Sequence, residues 1–287
     1  MNDTRQIIAR LRRDLLLGGI VRAALFVCAA AALVMGRLAL PGTMGSSVPI
    51  MAVLTAWLLL TYRSYRGSRL AAQLPALIAS GNLREAEQVI AEALRSFCMF
   101  RGPKLRTLHN LAVLRHAQQR WGETVVICRE LLAGSRWTDD ELARSTRVML
   151  AEALLEAGDM HGVYAVAGEL CRQRLTLDQT LRLAVVRTRY LAGIGAWEPL
   201  AHNIGRMAEL AELMDSDDAA MVWALLALGA MKTGRGQWAS FLRRRAELLG
   251  NPADMISLCP ALDHLWSTAL ISQAHNTDIS SGCEQRL

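Results

Sequence analysis

The sequence predicts an all-α protein: a transmembrane helical hairpin at the N-terminus, then an α-solenoid of about five helix-turn-helix units. Three observations carry this. Two long apolar segments stand before residue 63. After them, a small turn followed by a helix start recurs at a near-constant interval. Helix-capping signatures punctuate the same region, and no convincing strand pattern interrupts it. The organisation read from these is an anchor over 1–69, repeats over 70–250, a capping helix over 251–274 and a disordered tail over 275–287.

The first apolar segment, 15–36, is interrupted only by Arg22. A helix needs about 20 apolar residues to cross the hydrocarbon core of a bilayer. This segment has that length if the Arg22 side chain snorkels to the headgroups. A cleaved signal peptide would share the basic start and apolar centre. The length of the region, Arg22 and a second apolar segment close behind argue against it. That second segment, 45–62, contains the run from Ile50 to Leu60, and no residue from Leu38 to Tyr62 is charged. The absence of charge also argues against two helices buried in a soluble domain. Trp57 and Tyr62 suit an interfacial belt. Pro41, Gly42 and Gly45 lie in the short connection, which forces an antiparallel hairpin. Arg5, Arg10, Arg12 and Arg13 precede the first span, and Arg63, Arg66 and Arg69 follow the second; the connection has only Arg37. The positive-inside rule places both ends, and the rest of the chain, on the cytoplasmic side of an inner membrane.

In the remainder, Gly81, Gln119, Gly158, Gly195 and Gly234 each sit in a small turn before a helix start, 37 to 39 residues apart. A period in this range indicates stacked helix-turn-helix units. Thr138 with Glu141, and Thr176 with Gln179, read as capping boxes. Asp215 or Ser216 caps the helix through Trp223. Gly102 and Pro103 mark where the second unit begins. Asn251 and Pro252 precede a terminal helix that Pro260 kinks or splits.

The units resemble the tetratricopeptide repeat over roughly residues 70 to 250. The last carries Trp223, Leu226 and Ala227, then Gly234, then Ala239 and Ala246. The first carries Gly81, Ala86, Ile90 and Ala93; the second Leu108, Leu111 and Ala112, then Thr124 and Cys128. The third has Leu150, Ala151 and Gly158, and the fourth is degenerate, with Leu191, Gly195, Ile204 and Met207. The period exceeds the family's 34 residues. Small residues let helices approach where they cross, and large residues fill the gap between them. In tetratricopeptide proteins the first helix of each unit lines a concave groove. The resemblance therefore implies partner contacts from Arg106, His109, Val113 and His116 in the second unit, and from Arg182, Val185 and Arg189 in the fourth. A groove with several arginines favours an acidic peptide.

Net charge is +6, with arginine dominant and lysine only at Lys104 and Lys232. Part of this basicity flanks the apolar segments. Aromatic residues make up 5% and fall where helix packing wants them, so no nucleic-acid partner is expected. The six cysteines have no C-x-x-C pair and read as free, packed thiols, which suits a reducing compartment. No phosphate loop, dinucleotide fingerprint or H-E-x-x-H run occurs. His109 and His116 are too far apart for a metal pair on one helix turn. The acidic groups at Asp139–Glu141 and Asp215–Asp218 sit at helix N-termini, where the dipole favours them. Arg243 to Arg245 fan around one helix.

No cofactor, metal or catalytic residue is therefore assigned, and the chain is not read as an enzyme. Its expected role is a membrane-anchored interaction scaffold that binds a protein partner. The alternative is an accessory factor of a membrane-bound assembly or biosynthetic pathway. Its layout is similar to that of cytochrome-maturation and haem-biosynthesis-associated proteins, some of which hold their repeats outside the cytoplasm.

Overall fold

The computed structural model describes residues 2–38, 47–95, 101–133 and 140–267, though not every side chain of the first two helices. Among the described residues the regular structure is helical throughout. The chain forms α1 (Asn2–Leu38), α2 (Ser47–Ala72), α3 (Leu74–Ala79), α4 (Leu83–Arg95), α5 (Arg101–Ala117), α6 (Trp121–Ala133) and α7 (Asp140–Glu156). There follow α8 (Met160–Leu170), α9 (Leu177–Gly193), α10 (Trp197–His202), α11 (Ile204–Ala211), α12 (Ser216–Lys232), α13 (Gly236–Leu249) and α14 (Pro252–Leu258). Two compact units result, Met1–Ala153 and Leu154–Leu287.

The turns define the architecture. Gly81, Gly158, Gly195 and Gly234 have φ between 69° and 77°, and Gln119 has φ 57°. Each ends a helix in a Schellman motif. At the first, the Asn82 N–H donates to the Leu77 carbonyl and the Gly81 N–H to that of Ile78. The same pair of bonds recurs at Gln119, Gly158, Gly195 and Gly234. Two carbonyls left over at each helix end are thereby satisfied. The left-handed residue then reverses the chain into the next helix at every one of the five periodic positions.

In the first unit, α1 packs along α2, and an edge-to-face contact between Phe26 and Trp57 joins them, with ring centroids 5.7 Å apart. Past its apolar stretch α2 continues to Ala72 without a break and packs on α4 and α5. The early part of α1 is also tied to α5. Lys104 on α5 is buried, and its Nζ lies 2.8 Å from Asp14 Oδ2 on α1. A buried ammonium requires such a partner. Arg115 is the second buried cation. It reaches Glu87 on α4 at 2.8 Å and Glu123 on α6 at 3.4 Å, and so clamps three helices.

The core of the second unit is built around α12. Every residue from Ala219 to Ala230 is buried, against α9, α10, α11 and α13. A helix that is apolar all round belongs inside a protein or a membrane. Here protein surrounds it. The Asp215 carboxylate caps its start by accepting from the Asp218 N–H at 3.0 Å. Thr176 and Gln179 form the full capping box of α9. After α14, Pro260 opens a 3-10 turn, Pro260–Leu262, so the proline splits the terminal helix.

Among the described residues, no helix is long and apolar enough to cross a membrane. The spans expected at 15–36 and 45–62 are thus without support from this measure, and part of each falls outside the described side chains. The connection at Pro41 and Gly42, the capping box at Thr138 and the tail from His275 also lie outside the described residues.

Candidate partner-binding site

The residues expected to face a partner occupy varied environments. On α5, Arg106 is exposed and Val113 is half-buried. His109 is only 8% exposed, with Nδ1 3.0 Å from Thr146 Oγ1 on α7. The Thr146 hydroxyl already donates to the Leu142 carbonyl at 2.8 Å. The two side chains thus join α5 to α7 through a buried hydrogen bond. His116 packs edge-on against Trp121, centroids 4.9 Å apart, and holds Nε2 3.3 Å from Glu152 Oε2. On α9, Arg182 is half-buried, Val185 lies in the core and Arg189 pairs with Glu156. His109 and Val185 are thus committed to helix packing. The α5 and α9 sets belong to different units.

A buried cysteine on α6 is inert. Cys128 is buried on α6, and its thiol is pushed up from 9.0 to about 12, first by burial and then by the nearby Glu152 carboxylate. A thiol that keeps its proton is no nucleophile. Among the described residues, no group of three or more His, Cys, Asp or Glu gathers as a metal would need.

A cleft of about 440 Å³ lies in the second unit, between the end of α8 and helices α9, α10 and α11. The stretch read from the sequence as a degenerate fourth repeat has a broken second helix. Asn203 leaves helical geometry between α10 and α11, and its Nδ2 donates to the Pro199 carbonyl at 2.8 Å. Leu183, Leu191 and Met207 give the cleft apolar wall, while Gln173 and Asn203 add polar groups. Arg187 and Arg206 contribute the charge, and no Asp or Glu lines the cleft. Arg187 Nη1 lies 3.9 Å from the exposed Cys171 Sγ. The sequence pattern points instead to Arg182, Val185 and Arg189. The signal it held was the fourth unit's poor fit to the repeat pattern, since an irregular helix leaves space that regular stacking fills. The chain matches no protein-family model, no curated protein and no solved structure.

Proposed function

We propose that this chain is a membrane-anchored scaffold. α1 and α2 anchor it in a cytoplasmic membrane, and its helical repeats, on the cytoplasmic side, bind a protein partner. The observation that carries this reading is an unpartnered apolar stripe on each helix of the hairpin. On α1, Leu16, Ile20, Val27 and Val34 share one face and are 57 to 70% exposed. On α2, Met51, Leu54, Leu58 and Tyr62 share another, at 52 to 70%. The α1 stripe extends about 27 Å along the helix at 1.5 Å per residue, close to the thickness of a bilayer core. Water-facing monomers seldom carry continuous apolar surface on this scale. Lipid would remove it from water, at about 25 cal/mol per Å².

Expression in a bacterial host, followed by carbonate washing of the membranes, tests the anchor. The protein is expected to stay in the pellet, and recovery in the wash would refute it. An impermeant maleimide tests the side. Cys171 is exposed and is expected to label only after permeabilisation. Labelling in intact cells would move the repeats outside. Cross-linking in native membranes is expected to return one reproducible partner band.

A further inference from the structure

We infer that the cleft at the kinked fourth repeat, walled by Arg187 and Arg206, is where an acidic segment of a partner protein docks; this deepens the scaffold reading above and rests on it. The first ground is charge. Arg187 and Arg206 line a cleft without a carboxylate of its own, and among the described residues neither is paired with one. Arginine's planar fork recognises carboxylates in pairs of hydrogen bonds. The second ground is the mixed wall. Leu183, Leu191 and Met207 offer an apolar surface beside the arginines, as a segment alternating apolar and acidic side chains requires. The third ground separates a peptide from a nucleic acid strand. No aromatic residue lines the cleft, so bases would find no stacking platform. Exposed Cys171, Pro199 and Asn203 at its margin keep it open to a chain segment passing through.

Cys171 reports on the site directly. The test uses the full chain in detergent, with Cys28, Cys98, Cys259 and Cys283 changed to serine. Cys171 and the buried, unreactive Cys128 remain. The rate of maleimide labelling is followed with a capped peptide of alternating leucine and glutamate. Its glutamine counterpart, sodium sulfate and phosphatidylglycerol vesicles are the other arms. The acidic peptide is expected to slow labelling several-fold at saturation. Arg187→Gln and Arg206→Gln should each raise the half-maximal concentration about tenfold, as the loss of a charge-assisted contact does. Equal protection by the glutamine peptide overturns the inference, as does protection unchanged in both arginine variants. Protection by sulfate or by vesicles at least as strong as the peptide's assigns the cleft to a free anion or a lipid instead. A partner that still cross-links to the double arginine variant in membranes removes the cleft and leaves the scaffold standing. No cross-linked partner for the wild type takes both readings down.

Discussion

Helices α12 and α1 are both rich in apolar residues, yet their surroundings are opposite. α12 is buried from Ala219 to Ala230, with Leu225 and Leu226 at 0% exposure. α1 leaves Leu16, Ile20, Phe26 and Val27 at 63 to 70%. The difference lies in how each helix admits neighbours. α12 mixes large side chains with alanines and Gly229, and Leu200 of α10 packs where a Cβ on Gly229 would stand, at 2.9 Å. The described face of α1 has no such neighbour along its stripe. Apolar composition marks a helix for removal from water; α12 meets that demand with protein, and the described stripe of α1 does not.

Charge placed on α12 and on the apolar stripe of α2, the partner of α1, breaks this comparison most sharply. Leu226→Asp buries a carboxylate with no partner in the second unit's core. It is expected to cost upwards of about 4 kcal/mol, enough to unfold that unit. Leu58→Asp on the α2 stripe is expected to leave the helical circular dichroism and the urea midpoint in detergent nearly unchanged, while releasing the protein from washed membranes. Equal loss of helicity in both variants would mean that protein also covers the α2 stripe.

Close packing inside the second unit gives the next effect. A Cβ at Gly250 would stand 2.9 Å from the Ala220 Cβ, which is fixed to the α12 backbone. Gly250→Ala therefore forces the end of α13 away from α12 and is expected to cost about 1–3 kcal/mol. Gly229→Ala meets only the far end of the Leu200 side chain, which can turn aside, and should cost less. Urea unfolding of the two variants orders them, and the reverse order would show that Leu200 is locked.

Much of this core was legible beforehand. Trp223, Leu226, Ala227, Ala239 and Ala246, picked out by the repeat pattern, are all buried. So are Ala86, Ile90, Leu108, Leu111 and Ala112. Small and large residues at fixed offsets from a turn leave a periodic trace, because every unit solves the same packing problem. The five turns were legible for the same reason. The cleft was not, because it depends on how the end of α8 packs against α9, α10 and α11, and the residues of this stretch follow the repeat pattern too poorly to fix that packing. The packing role of His109 was equally hidden. A histidine on a helix face reads the same whether it meets solvent or Thr146.

The buried thiol gives a pH signature confined to the first unit. Cys128 would lose its proton near pH 9 in the unfolded chain and only near pH 12 in the folded one. Its contribution is complete below pH 9. Between 9 and 12 the unfolded state sheds a proton that the native state retains, so stability falls as pH rises. By pH 10 the loss is roughly 1 kcal/mol. Unfolding at pH 8 and pH 10 should show this slope in the wild type, and Cys128→Ala should lack it. An identical slope in both would trace the effect to other groups.

The smallest effect compares the turns themselves. Four of them use glycine where φ is positive, and Gln119 alone adopts that conformation with a side chain. L-residues pay about 1 kcal/mol or more for the left-handed region, whereas glycine enters it freely but is more flexible when unfolded. Gln119→Gly is therefore expected to stabilise the first unit by less than about 1 kcal/mol, with the two contributions partly cancelling. Gly158→Ala isolates the opposite sign. Nothing lies within 4 Å of the Cβ it would add, so any destabilisation comes from the backbone conformation alone. It should lower stability by about 1 kcal/mol. If thermal unfolding shows both substitutions neutral, the turns follow from the stacking of their helices. If the signs are opposite, the turn residues themselves help to set the five-fold period, and the sequence periodicity is a direct imprint of left-handed backbone geometry.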